Sequence, residues 1–483
     1  MNNYFFLRMG SNAEKKYVAK MRKSFSGIII RANFFESSPG MLSSLFIELC
    51  SPTVNKGYII DPITYVFSKQ DSLRKWQKVK KDKAYKTLME QLNIDDIKKI
   101  ERSWIRDIKN PTPKEKDKVE IWGGNKNYTK LCSKYFPDKI CKTLPITPLS
   151  TNDFNDNFVL HLIENVINYQ KSAISSKYSS EKYAEFKSEL SEPMFILAPY
   201  FNIDTVEWLK VNFTIWDVFQ NKIDDNKSAI VLNIQTDIFI EHLNEIIDKI
   251  KALGTSKVFL WFPGFKETGI AQKSVLDAYA RFTNELSLVG KEIVNLYAGG
   301  FSTFMLKFGL AGVVNGPGYG LDREIEPVVG GTPTAKYYIP FMHDREGILE
   351  TFMTLETLNI GNDDEGFKKD VCDCAICKKG LELQKVAESG QGKAFLLKYY
   401  GGKGSPRMGK DGTLRSYPSS VCIERSFFHF MLSRLKEYKW VLSADRNQIV
   451  KRIDEEIDKG KQFVVGYLPD WRNVLDSLNK KGN

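Results

Sequence analysis

The sequence predicts an α/β protein built as a (β/α)8 barrel, with a helical insertion after the second strand and a separate C-terminal unit. The first observation behind this is a series of short β-branched and aromatic runs, each closed by Gly, Pro or Asn/Asp. They fall at 27–35, 57–67, 193–201, 228–236, 256–265, 291–301, 311–316 and 335–344. Their hydrophobicity is continuous rather than alternating, as a parallel strand covered on both faces requires. The second observation is helical spacing between several of them. In IFIEHLNEIIDKIKALG, residues Ile240, Leu243, Ile246, Ile247 and Ile250 share one stripe and Gly254 stands where a C-cap belongs. AQKSVLDAYARFTNELSLVG repeats the pattern at 271–290. No glycine-rich phosphate fingerprint follows the first run, so a barrel is preferred over an open doubly wound sheet.

In chain order, residues 1–67 carry the first two barrel strands and 68–192 exceed any ordinary loop. WQKVKKDKAYKTLMEQL and VLHLIENVINYQKS read as helices of that insertion. Strands three to eight occupy 193–360, and 361–483 form the C-terminal unit.

The chain has 483 residues, 42% hydrophobic and 27% charged, which excludes wholesale disorder. Seventy Lys plus Arg against 59 Asp plus Glu leave a net charge of +11, a balance that suits a polyanionic partner. The N-terminus has only a three-residue apolar patch before its charges, and no stretch is apolar enough to span a bilayer. Neither secretion nor a membrane is expected. Of seven cysteines, three fall within six residues, which argues for a metal site in a reducing, cytoplasmic setting over a disulfide framework.

That cluster, VCDCAICKKG, places Cys372, Cys374 and Cys377 in a CxCxxC pattern suited to zinc, which prefers four tetrahedral thiolate or imidazole ligands. The fourth comes from elsewhere. His429, on the amphipathic ERSFFHFMLSRLKEY, is the best donor, and Cys422 is its rival. Closed by four protein ligands, the site is structural.

A barrel followed by CxCxxC and a helix-borne histidine resembles the tRNA-guanine transglycosylases, including relatives that place deazaguanine bases in tRNA or DNA. SFFHFMLSR around His429 is similar to the family's SRAYLHHL helix, although the gap to the cysteines is wider. Asp61-Pro-Ile-Thr-Tyr65 is similar to the family's DSGGFQ run, with bulkier residues replacing its glycines. The resemblance implies that Asp61 recognises the purine or transfers protons and that Tyr65 stacks on the base; the competing reading is a turn-capping Asp and a core Tyr. Gln235, at the end of VLNIQT, resembles the amide that reads the base edge, and FPGFKE and NLYAGG loosely match two further pocket segments. Where the family carries its nucleophilic aspartate, GLAGVVNGPGYGLDR offers Asn315, which cannot form a glycosyl-enzyme bond. Asp322 is then the nucleophile, or the chemistry has been lost.

The resemblance covers roughly 25–67 and 193–435 and implies a glycosyltransferase that exchanges guanine for a 7-deazaguanine in tRNA or DNA, with structural zinc. A catalytically silent nucleic-acid-binding relative is the alternative, and a homodimer or an accessory subunit is left open. Two further features belong to no motif. Lys69 to Lys86 hold eight basic residues with Trp76 and Tyr85 among them, a pattern suited to phosphates or to a solvated face. His343-Asp344-Arg345 end the last run, either as a proton shuttle or as a turn.

Overall fold

The computed structural model describes residues 3–9, 14–37, 45, 49, 56–69, 74–80, 105–107, 118–124, 126–136, 148–177, 192–270, 272–316, 318, 321, 323–325, 335–385, 392–404, 406–408 and 414–481. Its first strands are β1 (Tyr4–Met9), β2 (Gly27–Arg31) and β3 (Gly57–Asp61). The region that follows holds β4 (Arg74–Lys80), β5 (Ile105–Asp107) and β6 (Lys118–Gly124). Next come β7 (Ile196–Leu197), β8 (Ser228–Asn233), β9 (Lys257–Trp261), β10 (Glu292–Asn295) and β11 (Leu310–Asn315), and then β12 (Lys336–Ile339) and β13 (Asp344–Gly347).

Eight strands form one parallel sheet in the order β3-β2-β1-β11-β10-β9-β8-β7, with helices between most of them. Every strand but β3 therefore neighbours its successor in the barrel, and the last, β11, pairs with the first, β1. The Met194 amide donates to the Tyr58 carbonyl (2.8 Å), bringing the entry to β7 against β3 and nearly closing the ring. The fold class is thus the expected α/β barrel.

Its first strand is not the expected one. β1 was missed because Arg8 interrupts its apolar run, yet Phe5, Phe6, Leu7 and Met9 are all buried. The run at 335–344 shares the composition of the others but forms an antiparallel hairpin, Tyr337 opposite Glu346 and Ile339 opposite Asp344. Pro340 opens a 3-10 turn there, and His343 adopts a left-handed conformation (φ 50°) that reverses the chain. The insertion consequently follows the third barrel strand rather than the second. The helix expected from Trp76 onward does not begin there: Arg74–Lys80 is instead a strand of an antiparallel sheet ordered β4-β6-β5. The expected second helix is present as Asp156–Lys177.

The chain divides into two compact units. The first comprises 1–29, 234–252 and 256–483; the second comprises 30–233 and 253–255. In the second, Thr205 caps the helix Val206–Gln220 by accepting from the Trp208 amide. In the first, Val275, Leu276, Tyr279, Phe282 and Leu286 line the buried face of Lys273–Leu288 at helical spacing. The stripe expected over 238–254 is split at His242 into helices Thr236–Glu241 and Leu243–Ala252. The break turns Phe239 inward and leaves Ile240 39% exposed, so Ile240 does not join the core stripe. Among the described residues, no helix is long and apolar enough to cross a membrane.

Candidate metal centre and barrel mouth

The metal centre is assembled from three elements of the first unit. Asp363 caps the helix Asp364–Asp370 by accepting from the Gly366 amide (2.7 Å), and the chain then turns through Cys372 and Cys374. Cys377 lies in the first turn of the next helix, Ala375–Lys385. Within the turn, the Cys374 amide points at the Cys372 Sγ (3.4 Å) and the Cys377 amide at the Cys374 Sγ (3.5 Å), which preorganises the thiolates. The third element is the helix Ser420–Ser443, whose buried stripe includes Cys422, Ser426, His429, Ser433 and Glu437.

The ligand atoms of Cys372, Cys374, Cys377 and His429 all lie within 4.8 Å of one another. His429 Nδ1 is 3.8 Å, 3.3 Å and 3.5 Å from the sulfurs of Cys372, Cys374 and Cys377. A tetrahedral ion with Zn–S of about 2.3 Å and Zn–N of about 2.0 Å requires S···N separations of about 3.6 Å. The cluster brackets that value, so the four residues could hold a metal ion. Burial favours the neutral imidazole, but the thiolates of Cys372 and Cys374 push His429 up to about 10, a concentration of negative charge that a bound cation would relieve.

The surroundings explain why His429, and not Cys422, completes the set. His429 Nε2 donates to the Tyr338 carbonyl (2.7 Å), which directs Nδ1 at the sulfurs. Its ring stacks on Tyr337 at 4.0 Å, and the Tyr337 and Tyr400 hydroxyls reach the Cys377 Sγ at 3.2 Å and 3.3 Å. Cys422 turns away toward the Tyr399 carbonyl. Strand β12, expected in the barrel, thus serves as the floor of the metal centre.

A cavity of about 580 Å³ opens beside Cys372 and Cys374. Its charges are largely matched within the protein, Lys436 with Asp373, Lys459 with Asp370 and Arg452 with Glu456. One other cysteine departs from the sequence reading, which favoured metal over disulfides: Cys132 is disulfide-bonded.

The candidate base-pocket residues are divided between the units. In the second, Asp61 ends β3 and is buried at 2% exposure. Its Oδ1 accepts from the Ile63 amide (3.0 Å) and the Tyr200 hydroxyl (2.8 Å), holding Ile63 in the left-handed region (φ 48°) that a β-branched residue rarely enters. Tyr65 is fully enclosed and packs against Tyr200, ring centroids 5.5 Å apart. This arrangement favours the turn-and-core reading of both residues.

In the first unit, Gln235 is half-buried at the start of Thr236–Glu241 and its side chain makes no capping bond. Asn315 ends β11, the eighth barrel strand rather than the seventh, and donates from Nδ2 to the Ala298 carbonyl (2.8 Å). The two glycine-bearing segments meet there. Glu267, of FPGFKE, accepts from the amides of Gly299 (3.0 Å) and Ser302 (3.1 Å), and burial pushes its carboxyl up. A Cβ at Gly299 would fall 2.4 Å from the Glu267 Oε2, which accounts for that glycine. Asp322 lies outside the described residues, as do Lys81 and Tyr85.

His343 is not at an open mouth. It is 1% exposed, with Nε2 2.8 Å from Glu456 and Nδ1 3.3 Å from Glu437. Sequence reasoning passed over Arg8, Trp261, Tyr297 and Arg323, which cluster at the C-terminal ends of strands in the first unit, where barrel sites are built. Recognising β1 as a strand was the signal that would have found Arg8.

Fold and site together define the class: an α/β barrel carrying a buried Cys3His cluster that could hold a metal ion. No protein-family model matches the chain, and neither a curated protein nor a solved structure does so.

Proposed function

We propose that the chain acts on a nucleic acid as a base-exchanging barrel of the tRNA-guanine transglycosylase type, with zinc in the Cys3His centre. The observation that carries the reading is the meeting of Cys372, Cys374, Cys377 and His429 at tetrahedral separations across a gap of 429 − 377 = 52 residues. These are the residues the resemblance nominates. The zinc supplies folding free energy and holds the C-terminal elements together; with four protein ligands it leaves no open position for chemistry. In the exchange, a carboxylate attacks the sugar carbon as guanine leaves, and the incoming 7-deazaguanine then displaces the carboxylate.

Asp322 is assigned the attack, Asp61 base recognition or proton transfer, and Gln235 the base edge, while Tyr65, fully enclosed against Tyr200, stays a core residue. The strained Ile63 beside Asp61 supports a functional role for that turn, since such backbone strain gathers at working sites. The net charge of +11 favours tRNA or DNA as partner, and the thiols that hold the metal must stay reduced, as in the cytoplasm. The test is incorporation of labelled guanine into tRNA or duplex DNA by the metal-loaded protein.

A second reading, a silent nucleic-acid-binding relative, draws on Asn315, which is buried and donates to Ala298 where the resemblance expects the nucleophile. Binding of either nucleic acid without incorporation selects it.

A further inference from the structure

Tyr297, two residues past β10, is the hub of a charged cluster confined to the first unit. The guanidinium of Arg8 lies 4.7 Å from its ring centroid and that of Arg323 lies 5.9 Å away. Arg8, two residues after Phe6, shares its face of β1, and Phe6 approaches Phe259 of β9, so both side chains point into the barrel. Trp261, the last residue of β9, packs on Tyr297 at 5.1 Å.

Arg323 is fixed at both ends. Its carbonyl accepts from the Trp261 indole (3.2 Å) and the Gly264 amide (3.0 Å), and its Nη1 donates to the Tyr297 hydroxyl (3.3 Å). Its Nε–H is enclosed and has no hydrogen-bond partner among the described residues. An enclosed donor without an acceptor is costly and points to a ligand that supplies one.

The position fits an anion. Tyr297 follows the seventh barrel strand and Arg323 the eighth, and the loops after these strands are where barrels frequently hold phosphate. The amides at the start of Gly300–Met305, another place for an anion, are already taken by Glu267. The rings of Tyr297 and Trp261 pack on each other and on the guanidinium groups, which suits a charged group better than another stacked ring.

We propose that this mouth binds a phosphate group. Arg323 presents Nε–H to one phosphate oxygen, and Arg8 contributes the second positive charge. The phosphate belongs to a free nucleotide or to a nucleic-acid backbone, and its recognition does not depend on base exchange, which is read in a separate assay.

Calorimetry on the metal-loaded chain with guanosine, guanosine 5′-monophosphate and a single-stranded 12-mer tests this. The monophosphate is expected to bind at least about tenfold more tightly than guanosine, the effect of one charge-assisted contact. Arg323→Gln should erase that difference with metal content and melting temperature unchanged. Tighter binding of the 12-mer with the same Arg323 dependence assigns the phosphate to a backbone, whereas equal binding assigns it to a free nucleotide. Tyr297→Phe, which removes only the hydroxyl holding Nη1, should weaken monophosphate binding even if the Arg323 variant fails to fold. Equal affinity of the intact protein for guanosine and its monophosphate, together with 12-mer binding indifferent to either variant, overturns the proposal.

Discussion

Buried between Glu456 and Glu437, His343 makes stability depend on pH in a direction that can be worked out. Burial alone favours the neutral ring, but the two carboxylates outweigh it and raise His343 from 6.5 to about 9. Because the folded value is the higher one, the stabilisation is complete below about 6.5 and disappears as the pH rises through about 9. Raising His343 from 6.5 to about 9, at about 1.4 kcal/mol per tenfold change in proton affinity, is worth on the order of 3 kcal/mol. Glu437, held down to about 2 mainly by Arg434 and His343 against the cost of burial, sets the acid limb: its contribution is present above about 4.5 and falls as the pH drops toward about 2. Urea unfolding of the metal-loaded protein should therefore show a loss of about 3 kcal/mol between pH 6 and pH 9.5. Glu456→Gln removes one of the two carboxylates and should cost about 3 kcal/mol at pH 6, because it leaves Arg452 and His343 short of a buried counter-charge, and should flatten the slope above it. A wild-type protein equally stable at both pH values, or a variant with an undiminished slope, would refute this account.

Three other outcomes follow from the geometry. Elemental analysis should find one zinc per chain, lost in Cys374→Ser and His429→Ala together with a lower melting temperature but retained in Cys422→Ser; metal loss in Cys422→Ser would displace His429 as the fourth ligand. Gly300→Ala should cost about 1–3 kcal/mol in denaturant unfolding, since its Cβ would meet the His343 Cβ and Cγ at 2.5 Å, and a neutral result would mean that this turn is loosely packed. Neutralising Lys75, Lys78, Lys80 and Lys81 should reduce the salt slope of nucleic-acid binding by up to about 3 if most of them meet phosphates, and an unchanged slope places the contact surface elsewhere.

The parallel barrel was legible because its strands are covered on both faces and so read as uninterrupted apolar runs. Two errors have one cause. Run composition reports burial, not partnership, so Tyr337 and Tyr338 read as barrel residues although their burial comes from the metal centre and the helix above it. β1 failed the same criterion from the other side, because an inward arginine at the barrel mouth breaks the apolar pattern. The three cysteines were legible from spacing alone. The fourth ligand, His429, was legible as the best donor, but Cys422 stayed its rival because the two are seven residues apart, two helical turns, and share one buried face. What separates them is the Tyr338 carbonyl that orients the imidazole, a contact no periodicity encodes.

Whether the barrel performs covalent chemistry turns on which carboxylates remain uncommitted. Glu267 spends both oxygens on Gly299 and Ser302 and is locked to the start of a helix. Asp61 holds the Ile63 turn and the Tyr200 hydroxyl through one oxygen, so attack from Asp61 would release a strained, left-handed isoleucine. Asn315 carries no nucleophile at all. The remaining candidate among the residues the resemblance nominates is Asp322, which lies outside the described residues and precedes the anchored Arg323 in the chain. Asp322→Asn should therefore retain the metal, the fold and the preference for a phosphorylated nucleoside while losing every trapped glycosyl-enzyme adduct. An adduct that survives in Asp322→Asn and disappears in Asp61→Asn would move the attack to the third barrel strand and require the Ile63 turn to open during the reaction.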